Sequence, residues 1–279
     1  MDSIGPVRQA VILAGGRGSR MLPFTRVVPK ELLPVADRPL IQRAVEEAAE
    51  AGAGEVVIVT APANEGMLRQ YFTPGPAGAG ASPAEEDLRR LLARMSLRFV
   101  RQEVPLGIAD ALRCARPVLD DGSPFLLILP DGVMLGESVG RLLAAAVEGR
   151  GGSAVAVSEV SSGQVHRYGI VDGEPLDGRV WRLRRIVEKP RRPEDAPTRL
   201  GVIGRYLLAP AIFDAIGATP PGRDGELQIS DALVTLATSA PVFAVRYDGD
   251  HIDAGQPDGL LAASLAVARR EGTFPGLVL

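Results

Sequence analysis

The residues best suited to chemistry stand together in ILAGGRGSRMLPFTRVVPKELLPV, residues 12–35. Gly15, Gly16 and Gly18 follow a short apolar run, Arg17 and Arg20 are interleaved with them, and Lys30 sits between Pro29 and Glu31. Glycine lets the backbone approach a ligand closely and aim several N–H groups at one anion. Arginine adds a planar, permanently charged fork for phosphate oxygens. The chemistry this pattern suits is the holding of a phosphate. Two familiar glycine motifs fail the test. A G-x-G-x-x-G starting at Gly16 would need its third glycine where Met21 stands, and the P-loop's Gly-Lys-Ser/Thr is missing. Alone, a glycine cluster after a strand is as often a structural turn as a ligand loop.

The elements around the cluster decide what it can reach. QAVILA (9–14) and EVVIVTA (55–61) are short continuous apolar runs, as expected of strands buried on both faces. PLIQRAVEEAAEA (39–51) between them has helical spacing with proline at its start, so the three make a right-handed βαβ crossover. The pattern continues with a helix over 84–95, a strand over 97–102, a helix over 108–119, the most hydrophobic strand FLLILPDGVML (125–135), a helix over 138–149 and a strand over 153–160. The stretch 73–84, TPGPAGAGASPA, reads as a flexible excursion, more simply an insertion than part of a site. Beyond residue 160, YGIVDGEPLDGRVWRLRRIVEKP alternates apolar and polar residues around Asp-Gly turns and predicts antiparallel strands. The fold expected is α/β, a Rossmann-like doubly wound mixed sheet with a smaller antiparallel lobe. Such sheets bind ligands at the carboxyl ends of their strands, where both the glycine cluster and Asp131 fall.

Composition narrows the class. A net charge of −3 gives no basic excess for nucleic acid. Two histidines and one cysteine argue against a zinc site, and Cys114, in a helical stretch, is better read as a small buried apolar residue. A single cysteine suits a reducing compartment, and no apolar run reaches the roughly 20 residues of a membrane span. The expected location is the cytoplasm.

The continuation of the glycine cluster is more specific. G-x-G-S-R-M-L-P followed by P-K-E-L-L-P-V resembles the signature of the sugar-1-phosphate nucleotidyltransferases, and within them the bacterial UTP–glucose-1-phosphate uridylyltransferases. VRQ (100–102), PLGIADAL (105–112), ILPDGVML (128–135), YGIV (168–171), VEKP (187–190), GRYLL (204–208), GELQISDAL (225–233) and DAG (253–255) follow in that family's order. The resemblance implies a nucleotide-diphospho-sugar transferase fold in a single domain. Residues 1–160 would serve mainly the nucleotide, 161–250 mainly the sugar phosphate, and 251–279 would supply a second metal aspartate and a C-terminal helix. It implies transfer of a nucleotidyl group from a triphosphate, best UTP, to a sugar 1-phosphate, best glucose 1-phosphate, with release of pyrophosphate. It also implies self-association as a dimer or tetramer.

Site residues follow from the same resemblance. Ala14, Gly15, Gly16 and Gly18 support the nucleotide, and Arg20 and Lys30 hold the triphosphate. Gln102 and Gly107 meet the base: an amide carries both a donor and an acceptor, as a uracil or thymine edge requires. Asp131 and Asp253 form a two-carboxylate Mg²⁺ site. Gly169, Glu188, Lys189, Val202 and Tyr206 line the sugar-phosphate pocket, although Tyr206 suits a core position equally. Adjacent strand residues face opposite ways, so Glu188 and Lys189 need a bend to act together, and Pro190 is one source of it. Arg20, Lys30, Asp131 and Lys189 would be the catalytic set.

The chain also departs from the family. Arg199 replaces an asparagine, Ile252 stands where thymidylyltransferases often carry tryptophan, and PLGIADAL replaces a segment containing G-L-G-H. These changes leave open dTTP or another triphosphate, and a modified sugar or cyclitol phosphate, to which an arginine at position 199 is suited. A catalytically silent nucleotide-sugar binder is the rival of another class. It has little need for both carboxylates.

Overall fold

The structure is a computed structural model that describes residues 7–73, 75, 82–222, 225–274 and 276. Most of the stretch 73–84 lies outside the described residues. Strand β1 (Gln9–Ala14) is buried except at Leu13, because strands flank both its edges and helices cover both faces. A two-residue ribbon of β2 (Pro34–Val35) and β3 (Arg38–Pro39) leads into α1 (Leu40–Glu50), β4 (Glu55–Thr60), α2 (Pro62–Tyr71), α3 (Pro83–Leu92) and β5 (Ser96–Arg101). β1, β4 and β5 are parallel neighbours, with Ile12 opposite Ile58 and Ile58 opposite Phe99. The crossover from β1 to β4 is the one the apolar runs predict, and α2 is a helix the sequence pattern did not reveal.

α4 (Ile108–Ala115) returns the chain to β6 (Phe125–Ile128), parallel to β1 on its other edge. FLLILPDGVML is therefore not one strand. The ladder stops before Leu129-Pro130-Asp131 and resumes as β7 (Gly132–Leu135) in a separate ribbon. Proline has no N–H to give the ladder, so a break here is expected on physical grounds. α5 (Val139–Val147), β8 (Ser153–Glu159), the hairpin β9 (Gly169–Asp177) and β10 (Val180–Glu188), and β11 (Leu200–Leu208) follow. The chain ends through α6 (Ile212–Ala218), α7 (Ile229–Ala237), β12 (Val242–Arg246), β13 (Asp250–Asp253) and α8 (Pro257–Glu271).

The main sheet has the order β5-β4-β1-β6-β11-β8-β12-β10-β9. β11 runs antiparallel to both β6 and β8, and the β9–β10 hairpin joins antiparallel to β12. The sheet is mixed, and its antiparallel part is continuous with the parallel part. Side chains alternate between two cores, as strand geometry requires. Ala10 and Ile12 pack with α1, α3 and α5 on one face, while Val11 and Leu127 pack with α4, α6 and α7 on the other. This is a doubly wound α/β fold.

The small β7–β13 ribbon has the most direct consequence for function. Its register sets Asp253 opposite Gly132, and the Ala254 N–H donates to the Asp131 carbonyl at 2.8 Å. The ribbon thereby carries Asp253, from near the end of the chain, to the break where Asp131 sits. Val133, Ala254, Ala263 and Val267 pack together with Val35 and Leu40, so α8 holds the ribbon in place.

Candidate active site

The glycine loop leaves β1 at its carboxyl end. Ala14 is buried, and its carbonyl accepts from Thr60 Oγ1 at 3.2 Å, tying the loop to β4. Gly18 has φ of 61°, and a methyl there would meet Thr25 Cγ2 at 2.8 Å. Thr25 Oγ1 also donates to the Gly18 carbonyl at 2.7 Å. Only glycine suits that position. Gly15 and Gly16 serve differently. A methyl on Gly15 would lie 3.3 Å from Gln102 Oε1, and one on Gly16 would lie 3.6 Å from Lys30 Nζ. Their missing side chains keep open the space between the Gln102 amide and the Lys30 ammonium.

Charge converges beside this loop. Lys30 Nζ donates to Asp131 Oδ2 at 2.9 Å. Arg20 lies 3.7 Å from Asp131 and 3.6 Å from Asp253. Arg167, which the sequence reading missed, donates to Asp253 Oδ2 at 2.6 Å. Burial works against a charge on Asp131, but Lys30 and then Arg20 outweigh it and hold the carboxyl below its usual range. Burial likewise opposes the Lys30 ammonium, but Asp131 and Glu31 keep its pKa above the ordinary value. Glu31 itself is 0% exposed with neither carboxylate oxygen hydrogen-bonded, and burial pushes it up to about 7 against the pull of Lys30. Burial, then Arg205, push His251 down to about 4, so its imidazole is neutral at pH 7.

Arg205 braces the break from behind. It is buried, pairs with Glu47 through two nitrogens at 2.7 and 2.8 Å, and donates to the carbonyls of Leu129 and Gly132 at 2.6 Å each. Those carbonyls bracket Asp131. The GRYLL motif contained this residue, but nothing in its spacing announced the clamp.

The carboxylates fit a divalent, oxygen-preferring cation. A methyl built on Gly255 would lie 2.9 Å from Arg20 Nη2, 3.0 Å from Asp253 Oδ1 and 3.1 Å from Asp131 Oδ2, so the two acids face one small space beside Gly255, with the Arg20 guanidinium between them. Among the described residues no group of three or more His, Cys, Asp or Glu side chains is placed to hold a metal. Asp131 and Asp253 would be the side chains to hold such a cation, which would supply positive charge beside a bound phosphate.

Two cavities meet at this point. One, of about 460 Å³, is lined by Gly15, Gly16, Arg17, Lys30, Gln102 and Gly107 among others. The second, of about 690 Å³, is lined by Arg20, Arg167, Tyr168, Val202, His251 and Asp253 among others. Leu129, Asp131, Lys189 and Glu226 line both. Arg20, expected on the triphosphate, lies on the Asp253 side. Arg17 lies on the glycine-loop side instead. Glu226, in GELQ, belongs to a quoted motif but had no role assigned.

At the far end of the glycine-loop cavity, Gln102 Nε2 donates to the Gly107 carbonyl at 3.2 Å and to Asp110 Oδ2 at 2.8 Å. Gly107 has φ of 104°, and a methyl there would collide with the Leu227 carbonyl at 2.6 Å. The Leu227 N–H donates to the Leu106 carbonyl and Ala109 N–H to the Leu227 carbonyl, so GELQ straps down the loop containing Gly107.

Glu188 ends β10, and Lys189 follows with φ of 46°, a left-handed conformation uncommon for a side-chain-bearing residue. The bend that brings their side chains together is thus at Lys189 itself, before Pro190. Glu188 Oε2 accepts from Ser230 Oγ at 2.8 Å, and its Oε1 lies 3.3 Å from Lys189 Nζ. Gly169 makes room for that carboxylate, since a methyl there would lie 2.9 Å from Glu188 Oε2. Lys189 and Val202 line the cavities, whereas Glu188 and Gly169 stand behind Lys189. Tyr206 lies apart from both cavity walls. It is 3% exposed, packs in the core, and burial with Glu188 nearby pushes its phenol up.

Two departures noted in the sequence do not reach the cavities. Arg199 pairs with Glu159 at the surface, because both side chains are more than half exposed there. Ile252 packs beneath α8. An arginine-altered sugar pocket is therefore not what position 199 provides. Cys114 is half-buried against the core, and burial pushes its thiol up, away from reactivity.

Comparison with known proteins agrees with this geometry. The model of the family described as "Nucleotidyl transferase" matches residues 9–270. A UTP–glucose-1-phosphate uridylyltransferase of Pseudomonas aeruginosa is 35% identical over 266 residues, 92% of this chain and 95% of that protein. One of Bacillus subtilis is 34% identical over 272 residues, 95% of this chain and 92% of that protein. A UDP-glucose pyrophosphorylase solved with UDP-glucose superposes with a TM-score of 0.87 at 36% identity, covering 95% of this chain and 99% of its own. The UTP-bound enzyme of Acinetobacter baumannii gives a TM-score of 0.81 at 30% identity, covering 95% of this chain and 94% of its own. With a family match spanning nearly its whole length and a site of glycine loop, cations and paired aspartates, the chain belongs to the nucleotidyl transferase family and is a nucleotidyltransferase enzyme.

Proposed function

We propose that this chain transfers the uridylyl group of UTP to glucose 1-phosphate, yielding UDP-glucose and pyrophosphate. The observation that carries the reading is the meeting of two cavities at Asp131 and Lys189, one walled by the glycine loop and Gln102 and the other by Val202 and Asp253. Two polyanions brought end to end need charge neutralisation and in-line positioning, and need no covalent nucleophile from the protein.

In this reading the glycine-loop cavity takes UTP. Gly15 and Gly16 admit the triphosphate, Arg17 and Lys30 neutralise its outer phosphates, and Gln102 reads uracil. The second cavity takes glucose 1-phosphate, with Val202 against the sugar. Lys189 and Arg20 hold its phosphate so that an oxygen faces the α-phosphorus. Glu188 sets the position of Lys189 through their 3.3 Å contact. Asp131 and Asp253 would hold Mg²⁺, which supplies charge neutralisation at the phosphate oxygens when bound. Residues 1–160 then serve mainly the nucleotide, 161–250 mainly the sugar phosphate, and 251–279 the second carboxylate and α8.

A dimer or tetramer and a cytoplasmic location complete the proposal. The first rests on the family resemblance and is checked by light scattering. The second rests on the reducing-compartment cysteine content. No described helix is long and apolar enough to cross a membrane. The function is tested by crossing UTP, dTTP, CTP, ATP and GTP with several sugar 1-phosphates and measuring pyrophosphate release. UTP with glucose 1-phosphate should give the highest kcat/KM. Preference for another pair would move the assignment, and UDP-glucose binding without turnover of any pair would make the chain a binder.

A further inference from the structure

Gln102 and Asp110 are 6% and 4% exposed, and their contacts fix which way the Gln102 amide points. Gln102 Nε2 donates to Asp110 Oδ2 at 2.8 Å and to the Gly107 carbonyl at 3.2 Å. Asp110 Oδ1 in turn accepts from Arg113 at 2.6 Å. Both partners of the amide nitrogen are oxygens with no proton to give, a backbone carbonyl and an arginine-paired carboxylate. Turning the amide over would set Oε1 against two acceptors, which a buried site penalises. Oε1 is left facing the glycine loop, 3.3 Å from where a methyl on Gly15 would sit. The amide therefore does not present a donor and an acceptor to the ligand. Its donors are taken up inside the protein, and it presents an acceptor alone.

We infer that Asp110 is a specificity-positioning residue: by anchoring Nε2 it commits Gln102 Oε1 to accept from an imide N–H of the base. Uracil carries such a donor at N3, where cytosine carries an acceptor. The contact from Asp110 to Gln102 thus favours uridylyl over cytidylyl donors. The inference rests on the proposed placement of the base at Gln102, and its test separates the two.

The informative variant is Asp110→Asn. Arg113 can only donate, so the introduced amide must turn its oxygen to Arg113 and its nitrogen to Gln102. The Gln102 nitrogen then meets a donor where its 2.8 Å acceptor stood and keeps only the longer 3.2 Å contact with the Gly107 carbonyl, which favours turning the amide so that Nε2 faces the base. The ratio of kcat/KM for UTP over CTP should fall at least about tenfold. Arg113→Leu, which leaves the carboxylate in place, should keep the ratio within about twofold of wild type. If Asp110→Asn does not fold, as judged by thermal melting, Asp110→Ala serves instead. It removes the shorter of the amide's two anchors and leaves only the 3.2 Å contact with the Gly107 carbonyl, so the ratio should fall part of the way toward that of Gln102→Leu. An Asp110→Asn or Asp110→Ala ratio equal to wild type, with Gln102→Leu losing selectivity, overturns the role of Asp110 while leaving the base at Gln102. Selectivity untouched in Gln102→Leu overturns both this inference and the base placement.

Discussion

Lys30 Nζ donates a 2.9 Å hydrogen bond to Asp131 Oδ2, joining the loop after β1 to the break after β6, 101 residues further along the chain. The pair fixes how far the cation assigned to phosphate stands from the carboxylate assigned to metal. Arg20 reaches both Asp131 and Asp253, so three loops are locked to one another by charge. The chemistry of the cleft depends on that arrangement.

Asp131→Asn keeps the shape of the side chain and an oxygen to accept from Lys30, but removes the charge. Turnover of UTP with glucose 1-phosphate should fall by at least about 10²-fold. The far-ultraviolet circular dichroism spectrum should be unchanged. A folded variant with a near-normal rate would contradict the role given to this carboxylate.

Lys189 lines both cavities on a left-handed backbone. Lys189→Ala keeps the backbone strain and loses the ammonium, whereas Lys189→Gly loses both. If the ammonium holds the sugar phosphate, both variants should raise KM for glucose 1-phosphate about tenfold, with UTP affinity by calorimetry little changed. Recovery in the glycine variant would mean that the backbone conformation, not the charge, is what matters.

Gly107 has φ of 104° with the Leu227 carbonyl 2.6 Å from any added methyl. Gly107→Ala should cost on the order of 2 kcal/mol by urea denaturation and weaken UTP binding, since the strap from GELQ must open. Unchanged stability and affinity would show that the loop can shift freely.

Glu31 is buried beside Lys30, and its carboxyl is pushed from about 4.5 to about 7. A raised folded-state pKa means that the folded protein binds this proton more tightly than the unfolded chain. The stabilisation is full below about pH 4.5 and is lost as pH rises through about 7. Glu31→Gln should therefore be more stable than wild type at pH 8, by on the order of 1–3 kcal/mol, with a smaller advantage at pH 5. Urea denaturation at the two pH values reads this directly. An identical difference at both would show that Glu31 does not titrate in this range.

Much of this site was legible in the sequence because its parts are local. The apolar pattern located β1, β4 and β5, and the glycines, Arg20 and Lys30 marked out the loop that walls the cleft. Asp131 stood out because an acid follows the most apolar run. What was not legible depends on contacts between distant segments. Nothing in HRYGIV says that Arg167 meets Asp253, since that follows from the β7–β13 ribbon folding back. FLLILPDGVML read as one strand because hydropathy runs through it, while Pro130 ends the ladder. The orientation of Gln102 was invisible because it is set by Asp110 on the next helix. Its place in the chain predicts Arg199 near a sugar pocket, whereas it pairs with Glu159 at the surface.

In the proposed reaction the phosphate of glucose 1-phosphate attacks the α-phosphorus of UTP in this cleft. This step is tested most directly with glucose 1-phosphate whose non-bridging phosphate oxygens carry ¹⁸O, incubated with UTP, Mg²⁺ and the protein, and mass analysis of both products. UDP-glucose should retain all of the label, and unlabelled pyrophosphate should form in equal amount. Label in pyrophosphate, or no UDP-glucose from a folded protein that binds both substrates, would contradict it.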